Sequence, residues 1–425
     1  MIVAAIYNLE KSEMVRKTQQ LNLSPTHIIM LGFLFIIFLG SVLLALPISS
    51  ANGEAVPYID ALFTATTSTC VTGLVTLPVI STWSTFGHIV ILVLIQIGGL
   101  GVVTVMAGIM IVLHKKISMK DRVLLQDSFN LNSLSGVVRF TKKVIGGTLL
   151  IEAIGAVLYM TVFVPQFGPK GIWISIFNSV SAFCNAGIDI VSETSLCPYA
   201  LNPMINLTSN ILIIVGGIGF VVWWDVARVV QNIRTQKLKC FRNLTLHTKI
   251  TLCTTAALLI IGTVAVFAFE YNNPLTIGRF STFEKLEVSF FQSVTTRTAG
   301  FATIPQENLT NSSVIMCLLL MFIGGSPVGT AGGIKTVTFT VLIASTLSTV
   351  RNKNDVTMFN RKLTKQVISK AVAVTGMSFL ITFISTLLLS AVTDANALDM
   401  IYETVSATAT VGLSRNLTST LNHFG

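Results

Sequence analysis

Charge is what this chain lacks. Of its 425 residues only 11% are Asp, Glu, Lys or Arg, whereas a soluble domain carries about 25%. That scarcity excludes an ordinary water-soluble fold. Metal-ligand spacing is missing too. The 5 histidines are scattered and the 6 cysteines form no CxxC pair, so small buried thiols are expected. No stretch between the apolar runs is long enough for a separate catalytic domain. GTAGGIKT (329–336) is a near miss to a phosphate-binding loop, but Ile334 stands where the second glycine should be and no strand precedes it. We therefore expect no enzyme activity and no organic cofactor.

Apolar surface is what the chain has. It is 52% hydrophobic, with a mean hydropathy of +0.77. Seven runs have helix length, at 28–47, 86–113, 144–164, 205–230, 250–269, 314–350 and 367–392, as a polytopic membrane protein requires. LLALPISSA, at the end of the first run, loosely resembles a cleavage region, but the repeat described below needs this run as a span. The net charge of +10 does not indicate nucleic acid, because it is segregated. Residues 1–26, 114–143, 228–249 and 351–370 hold 22 of the 28 Lys and Arg, and the alternate loops hold 11 of the 18 acids. The positive-inside rule then puts the N-terminal segment 1–26 in the cytoplasm of a multi-pass plasma-membrane protein.

The chain also repeats itself. Gly73, Gly187, Gly300 and Gly412 lie 114, 113 and 112 residues apart, and each follows an aromatic ring by 10 residues (Phe63, Phe177, Phe290, Tyr402). The stretches between are small and polar: TATTSTCVTG, NSVSAFCNAG, FQSVTTRTAG and ETVSATATVG. The period is too long for a solenoid but suits two spans with a re-entrant loop between them. The expected fold is all-α, with four pseudosymmetric span–pore-loop–span repeats around a central pore. The repeats fall at 27–113, 141–230, 248–350 and 367–425, the last stopping after its pore loop with its final span missing.

Four such loops facing one another can replace an ion's water with backbone carbonyls, provided consecutive peptides turn inward, and glycine permits the positive φ this needs. The candidate filter is Val71, Thr72 and Gly73; Asn185, Ala186 and Gly187; Thr298, Ala299 and Gly300; Thr410, Val411 and Gly412. Asp189, two residues past Gly187, is the candidate mouth charge. In three repeats an acid (Asp60, Glu287, Asp399) falls where a pore helix should begin. It complements the helix dipole or raises cation concentration at the mouth.

STCVTGL, FCNAGID, TTRTAGF and TATVGLS resemble the four pore loops of the TrkH/KtrB/HKT superfamily of potassium transporters. The resemblance runs from about residue 25 to the end, and the short N-terminus resembles the KtrB type. It implies passive, channel-like potassium import, with sodium as a second candidate ion. It also implies a homodimer on a cytoplasmic nucleotide-binding regulatory ring of KtrA type. The basic loops face that ring and anionic membrane lipid alike, and no nucleic-acid partner is expected. Glycine rather than serine at position 73 favours potassium by the same resemblance. The rival readings are the potassium-binding subunit of an ATP-driven pump complex and a non-conducting scaffold.

The run at 314–350 is too long for one straight span. Its centre, GGSPVGTAGG, cannot hold a helix. Gly324, Gly325, Ser326, Pro327, Gly329, Thr330, Gly332 and Gly333 are read as a flexible gate below the filter, which the resemblance also implies. Lys335 is either a positive charge at the gate or a side chain reaching for the cytoplasm. The weaker counterparts QIGGLG (96–101) and VGGIGF (215–220) are read mainly as close-packing sites. Arg297 should point behind the filter as a brace and pair with an acid, Glu287 or Glu403. Glu152 shows no partner in the sequence and is read as a protonated or hydrogen-bonded packing residue, with ion coupling as the alternative.

Overall fold

The computed structural model describes residues 25–115, 117–129, 134–231, 242–353, 355–422 and 425. Most of the 1–26 segment, Cys240, His423 and the basic residues Arg234, Lys237 and Lys239 lie outside the described residues. The fold is predominantly helical; a two-residue β-hairpin, Thr357–Met358 with Arg361–Lys362, interrupts it.

Four helices are long and apolar enough to cross a bilayer: Thr26–Leu44, Val137–Phe167, Leu246–Glu270 and Lys365–Ser390. A half-length helix follows each: Tyr58–Thr69, Lys170–Cys184, Thr282–Thr295 and Ala397–Thr408. These short helices carry the small polar stretches and pack inward. Their rings form part of the core, with Phe177 and Tyr402 fully buried and Phe63 and Phe290 half-buried. Sequence sets where they start. Ser281 and Glu284 form a reciprocal capping box, and Asn396 accepts a hydrogen bond from the Leu398 N–H. Asp60 and Asp399 lie in first turns as expected. Glu287 does not. Its helix begins at Thr282, so Glu284 is the first-turn acid, and Glu287 instead accepts from Asn206 Nδ2 at 3.0 Å.

The second helices of the first two units depart from the sequence reading. The runs at 86–113 and 205–230 are not straight spans. Thr85–Leu100 and Val102–Val112 meet at 103°, and Pro203–Gly217 and Phe220–Gln231 at 100°. The hinges are Gly101 (φ 81°) and Gly219 (φ 92°), a region that only glycine enters cheaply. QIGGLG and VGGIGF are thus bends as well as packing sites. Packing is the task of the glycines just before each hinge. A Cβ on Gly98 would lie 2.1 Å from Thr69 O, and one on Gly216 would lie 2.0 Å from Phe183 O. In the third unit the helix stops at Phe322 and resumes only at Thr336.

Candidate ion-conducting site

Each half-length helix ends in a loop with the same unusual backbone. The residue two before the glycine has positive φ: Val71 (55°), Asn185 (59°), Thr298 (68°) and Thr410 (52°). So does each glycine: Gly73 (93°), Gly187 (65°), Gly300 (81°) and Gly412 (95°). Left-handed residues alternate with ordinary ones, which turns successive carbonyls the same way. The bulky members of this set occupy a region costly for non-glycine residues, so their surroundings must hold them.

Hydroxyls supply part of that hold. The Gly73 N–H donates to Thr67 Oγ1 at 3.0 Å, and the Gly412 N–H donates to Ser406 Oγ at 3.1 Å. Ser181 Oγ donates to Ile188 O and accepts from the Ile188 N–H at 3.2 Å. Thr295 Oγ1 donates to Phe301 O at 2.6 Å. The sequence reading missed these four residues. Their signal was present in three of the four stretches, as a hydroxyl six before the glycine.

The four loops meet. A Cβ on Gly73 would lie 2.5 Å from Ala186 O, one on Gly187 2.7 Å from Ala299 O, one on Gly300 2.6 Å from Val411 O, and one on Gly412 2.5 Å from Thr72 O. Each glycine therefore abuts the carbonyl just before the glycine of the next loop, and the fourth closes on the first. No side chain fits at any of the four. All twelve candidate filter residues are gathered here. Outside them opens a vestibule of about 450 Å³, lined by all four glycines together with Asp189, Glu193 and Glu307 and by no Lys, Arg or His. Asp189 is held by the Val191 N–H at 3.2 Å, and burial raises its carboxyl above the ordinary range.

Beneath the loops lies the unwound stretch of the third unit. Thr330 Oγ1 donates to Phe183 O at 3.0 Å, the Gly332 N–H to Thr298 Oγ1 at 3.0 Å, and the Thr330 N–H to Gly216 O at 3.2 Å. The Ser326 N–H donates to Gly217 O at 2.9 Å, and Val328 O accepts from the Phe220 N–H at 2.9 Å. A Cβ on Gly332 would lie 1.8 Å from Thr410 Oγ1. The stretch thus touches filter loops two, three and four and the hinge of the second unit. Pro327 suits such backbone because it has no N–H to satisfy. Lys335 Nζ donates back to Ala331 O at 2.6 Å, so its charge stays at this loop.

Arg297 is buried behind the third loop, but among the described residues no acid pairs with it. Its Nη2 donates to Gly324 O at 3.1 Å, and its Nε has no partner. Glu403 instead accepts from Ser414 Oγ at 2.7 Å and from the Thr418 N–H at 2.9 Å. The expected pair is thus replaced by a charged bond to Gly324, near the start of the unwound loop. Glu152 does have a partner: Gln96 Nε2 donates to it at 3.3 Å. Two further residues escaped the sequence reading. Arg415 bridges Asp399 (2.6 Å) and Gln306 O (3.1 Å), tying the fourth mouth to the third. Glu270 accepts from the Thr310 N–H (2.9 Å) and from Thr276 Oγ1 (2.6 Å), clamping the outer end of the broken helix.

Comparison with known proteins gives the family and the fold. A family profile described as TrkH, a cation transport protein, matches residues 10–424. The Ktr system potassium uptake protein B of Bacillus subtilis (strain 168) is 38% identical over 403 residues, which is 95% of this chain and 88% of that one. The potassium/sodium uptake protein NtpJ of Enterococcus hirae is 36% identical over 416 residues, 97% of this chain and 90% of that one. In fold, the chain is similar to the crystal structure of the potassium transporter TrkH from Vibrio parahaemolyticus. The TM-score is 0.70 at 15% identity, over 94% of this chain and 81% of that one.

Proposed function

The chain belongs to the TrkH family of cation transport proteins, and from that premise we propose that it is the potassium-translocating subunit of an uptake system in the plasma membrane. Ions pass down their gradient through a fourfold pseudosymmetric filter, with sodium as a second candidate. The observation that carries the reading is the closed ring of four glycines, each against a carbonyl of the next loop. Such a ring offers oxygens in place of the hydration shell, and the acid-only vestibule above it concentrates cations. One carbonyl-lined glycine turn per loop gives fewer stacked sites than a long filter, so discrimination against sodium is modest.

The unwound stretch 323–335 acts as the gate. Six hydrogen bonds join it to the filter loops, the second hinge and Arg297. With the five neutral bonds at about 0.5–1.5 kcal/mol net each and the charged Arg297 bond at about 1.5–3 kcal/mol, they hold the closed arrangement by roughly 4–10 kcal/mol. A cytoplasmic nucleotide-binding ring, bound more tightly by the open form of a homodimer, supplies a bias of that size. The basic loops face this ring, with the N-terminus on the same side. Glu270 anchors the outer half of the broken helix, so the motion falls to the inner half. Arg297 braces the gate to the filter, and Lys335 sets a positive charge at the gate.

The test is growth. The complete reading frame should rescue a potassium-uptake-deficient bacterium on low potassium. Gly73→Ser should lower potassium affinity at least about tenfold and shift preference toward sodium, since a Cβ there meets Ala186 O at 2.5 Å and the strained φ alone costs about 1–3 kcal/mol. Rescue with wild-type potassium affinity in the serine variant would sink the filter assignment.

A further inference from the structure

We propose that the face between the inner half of the broken helix and Lys365–Ser390 is a site for an anionic phospholipid, whose tail packs beside the gate. The inference rests on the membrane reading above and on three features of one place in the fold.

The first is a groove of about 380 Å³ that runs along the broken helix and meets Lys365–Ser390 at Thr375, within the range that small-molecule sites occupy. It begins at Phe322, Ile323 and Ile334, which flank the unwound stretch, and runs along the helix past Ile343 to Leu347. A smaller cavity of about 130 Å³ shares Phe322 and Ile334 and reaches Gly333, Thr408 and Ala409 at the foot of the fourth filter loop. The groove is open on the lipid side: Leu319, Ile343 and Leu347 are 51%, 43% and 49% exposed. A chain of methylenes fits that lining. A polar solute would find almost nothing there to bond.

The second feature is charge. The helix carrying Ile343 and Leu347 ends at Val350, and a short connection leads to Lys365. This connection carries Arg351, Lys353, Arg361, Lys362 and Lys365. Among the described residues only Lys362 has an acidic partner there, Asp355 at 2.6 Å. Arg351, Lys353, Arg361 and Lys365 are exposed. Arg351 stands one helical turn beyond Leu347, where a headgroup would sit if its tail lay in the groove. A basic cluster at a helix end is suited to an anionic headgroup rather than a neutral one.

The third feature is the hairpin in this connection. Its two-residue tip is Phe359 (φ 46°) and Asn360 (φ 62°), a tight mirror-image turn. Phe359 is held outward at that tip. An aromatic ring presented among lysines and arginines is an interfacial anchor, and it fixes the basic cluster at the level of the headgroups. Apolar groove, basic rim and aromatic anchor thus follow one another in the order of a phospholipid's own parts. The tail end lies against the residues from which the gate leaves the helix, so occupancy should bias the gate.

The test uses the full chain in vesicles of phosphatidylcholine, with or without phosphatidylglycerol. Tail-diazirine analogues of each lipid are photolysed and the labelled peptides are mapped. Phosphatidylglycerol should label Thr336–Val350 and Lys365–Ser390 several-fold more than phosphatidylcholine does. Ile343→Trp should fill the groove and remove that excess, while Ile154→Trp, on a distant exposed face, should not. Arg351→Gln with Lys353→Gln, on the exposed connection, should abolish the lipid preference without disturbing the fold. Rubidium tracer flux should change several-fold with phosphatidylglycerol in the wild type and not in the double variant. Equal labelling by the two lipids overturns the proposal. So does an inter-chain disulfide in Leu347→Cys, which would mean a second copy covers the groove, and so does protection of the connection only by a soluble partner protein. Labelling needs no ion flux, so failure of the potassium reading would leave this result standing or falling on its own.

Discussion

The second helices of the first three units face the same problem and solve it differently. All three lose helical backbone at a glycine cluster after the filter glycine. In the first and second units one glycine with positive φ turns the chain by about 100° and the helix resumes at once. In the third, thirteen residues, 323–335, stay unwound. The difference is not glycine alone. QIGGLG and VGGIGF carry three glycines each, set among aliphatic side chains. GGSPVGTAGG adds a proline and the hydroxyls of Ser326 and Thr330. The aliphatic residues give the chain every reason to close its hydrogen bonds again in helix. Ser326, Thr330 and the freed peptide groups give it partners elsewhere, in the filter loops and the second hinge. Glycine permits a break, but partners outside the helix decide whether the break stays open.

The strongest way to break this comparison is to shorten the third unit to resemble the others. Deleting residues 325–332 removes most of the bonds beneath the filter. On the proposed gate, flux should rise at least about tenfold and lose its dependence on the proposed cytoplasmic ring, because each ~1.4 kcal/mol removed from a closed state is tenfold in its population. Abolished or unchanged tracer flux, in a variant that reaches the membrane, would show that the stretch does not block the path.

Next come the hinges, one against the other. Both Gly101→Ala and Gly219→Ala should cost about 1–3 kcal/mol for the strained φ, seen as a lower melting temperature. Only the second should also alter flux. A Cβ on Gly101 meets nothing within 4 Å, whereas one on Gly219 would lie 2.5 Å from Pro327 O. If the two variants conduct alike, the second hinge is not coupled to the gate.

A smaller effect is expected at Arg297. A hydrogen bond from a charged group is worth about 1.5–3 kcal/mol, so Arg297→Ala should raise partner-independent flux about tenfold or more. Arg297→Lys should retain part of the restraint, since one carbonyl needs no planar fork. Lost thermal stability with no leak would make the arginine a packing residue only.

The smallest effect belongs to the vestibule, which all the loops share. The Asp189 carboxyl titrates above its ordinary range, so its charge is present above that raised value and is lost as pH falls through it. Potassium flux should therefore decline as pH falls through that raised value, and Asp189→Asn should flatten the profile. A wild-type profile in the asparagine variant would remove Asp189 from the mouth.

How much of this was legible depended on whether a residue type is obligatory. Gly73, Gly187, Gly300 and Gly412 were legible because a Cβ is excluded at each and φ is positive, so the requirement is spelled out four times. Val71, Asn185, Thr298 and Thr410 share the left-handed backbone yet no one residue type, because neighbouring bonds hold them there. Gly101 and Gly219 were read as packing glycines because Gly98 and Gly216, a few positions away, are just that. Sequence does not separate the two duties. Arg297 was assigned an acid because charges have letters and carbonyls do not. Gln96 and Glu152 lie 56 residues apart, and no local pattern announces such a contact.

The closed ring of loops has a genetic consequence. A pore assembled from four copies of one gene product must change all its quarters together, since one codon is read four times. Here each quarter has its own codon. A mutation at position 73 alters one side of the ring and leaves positions 187, 300 and 412 as they were. The quarters are therefore free to drift into separate trades, and the third already carries an arginine in its loop and an unwound stretch that the first and second lack.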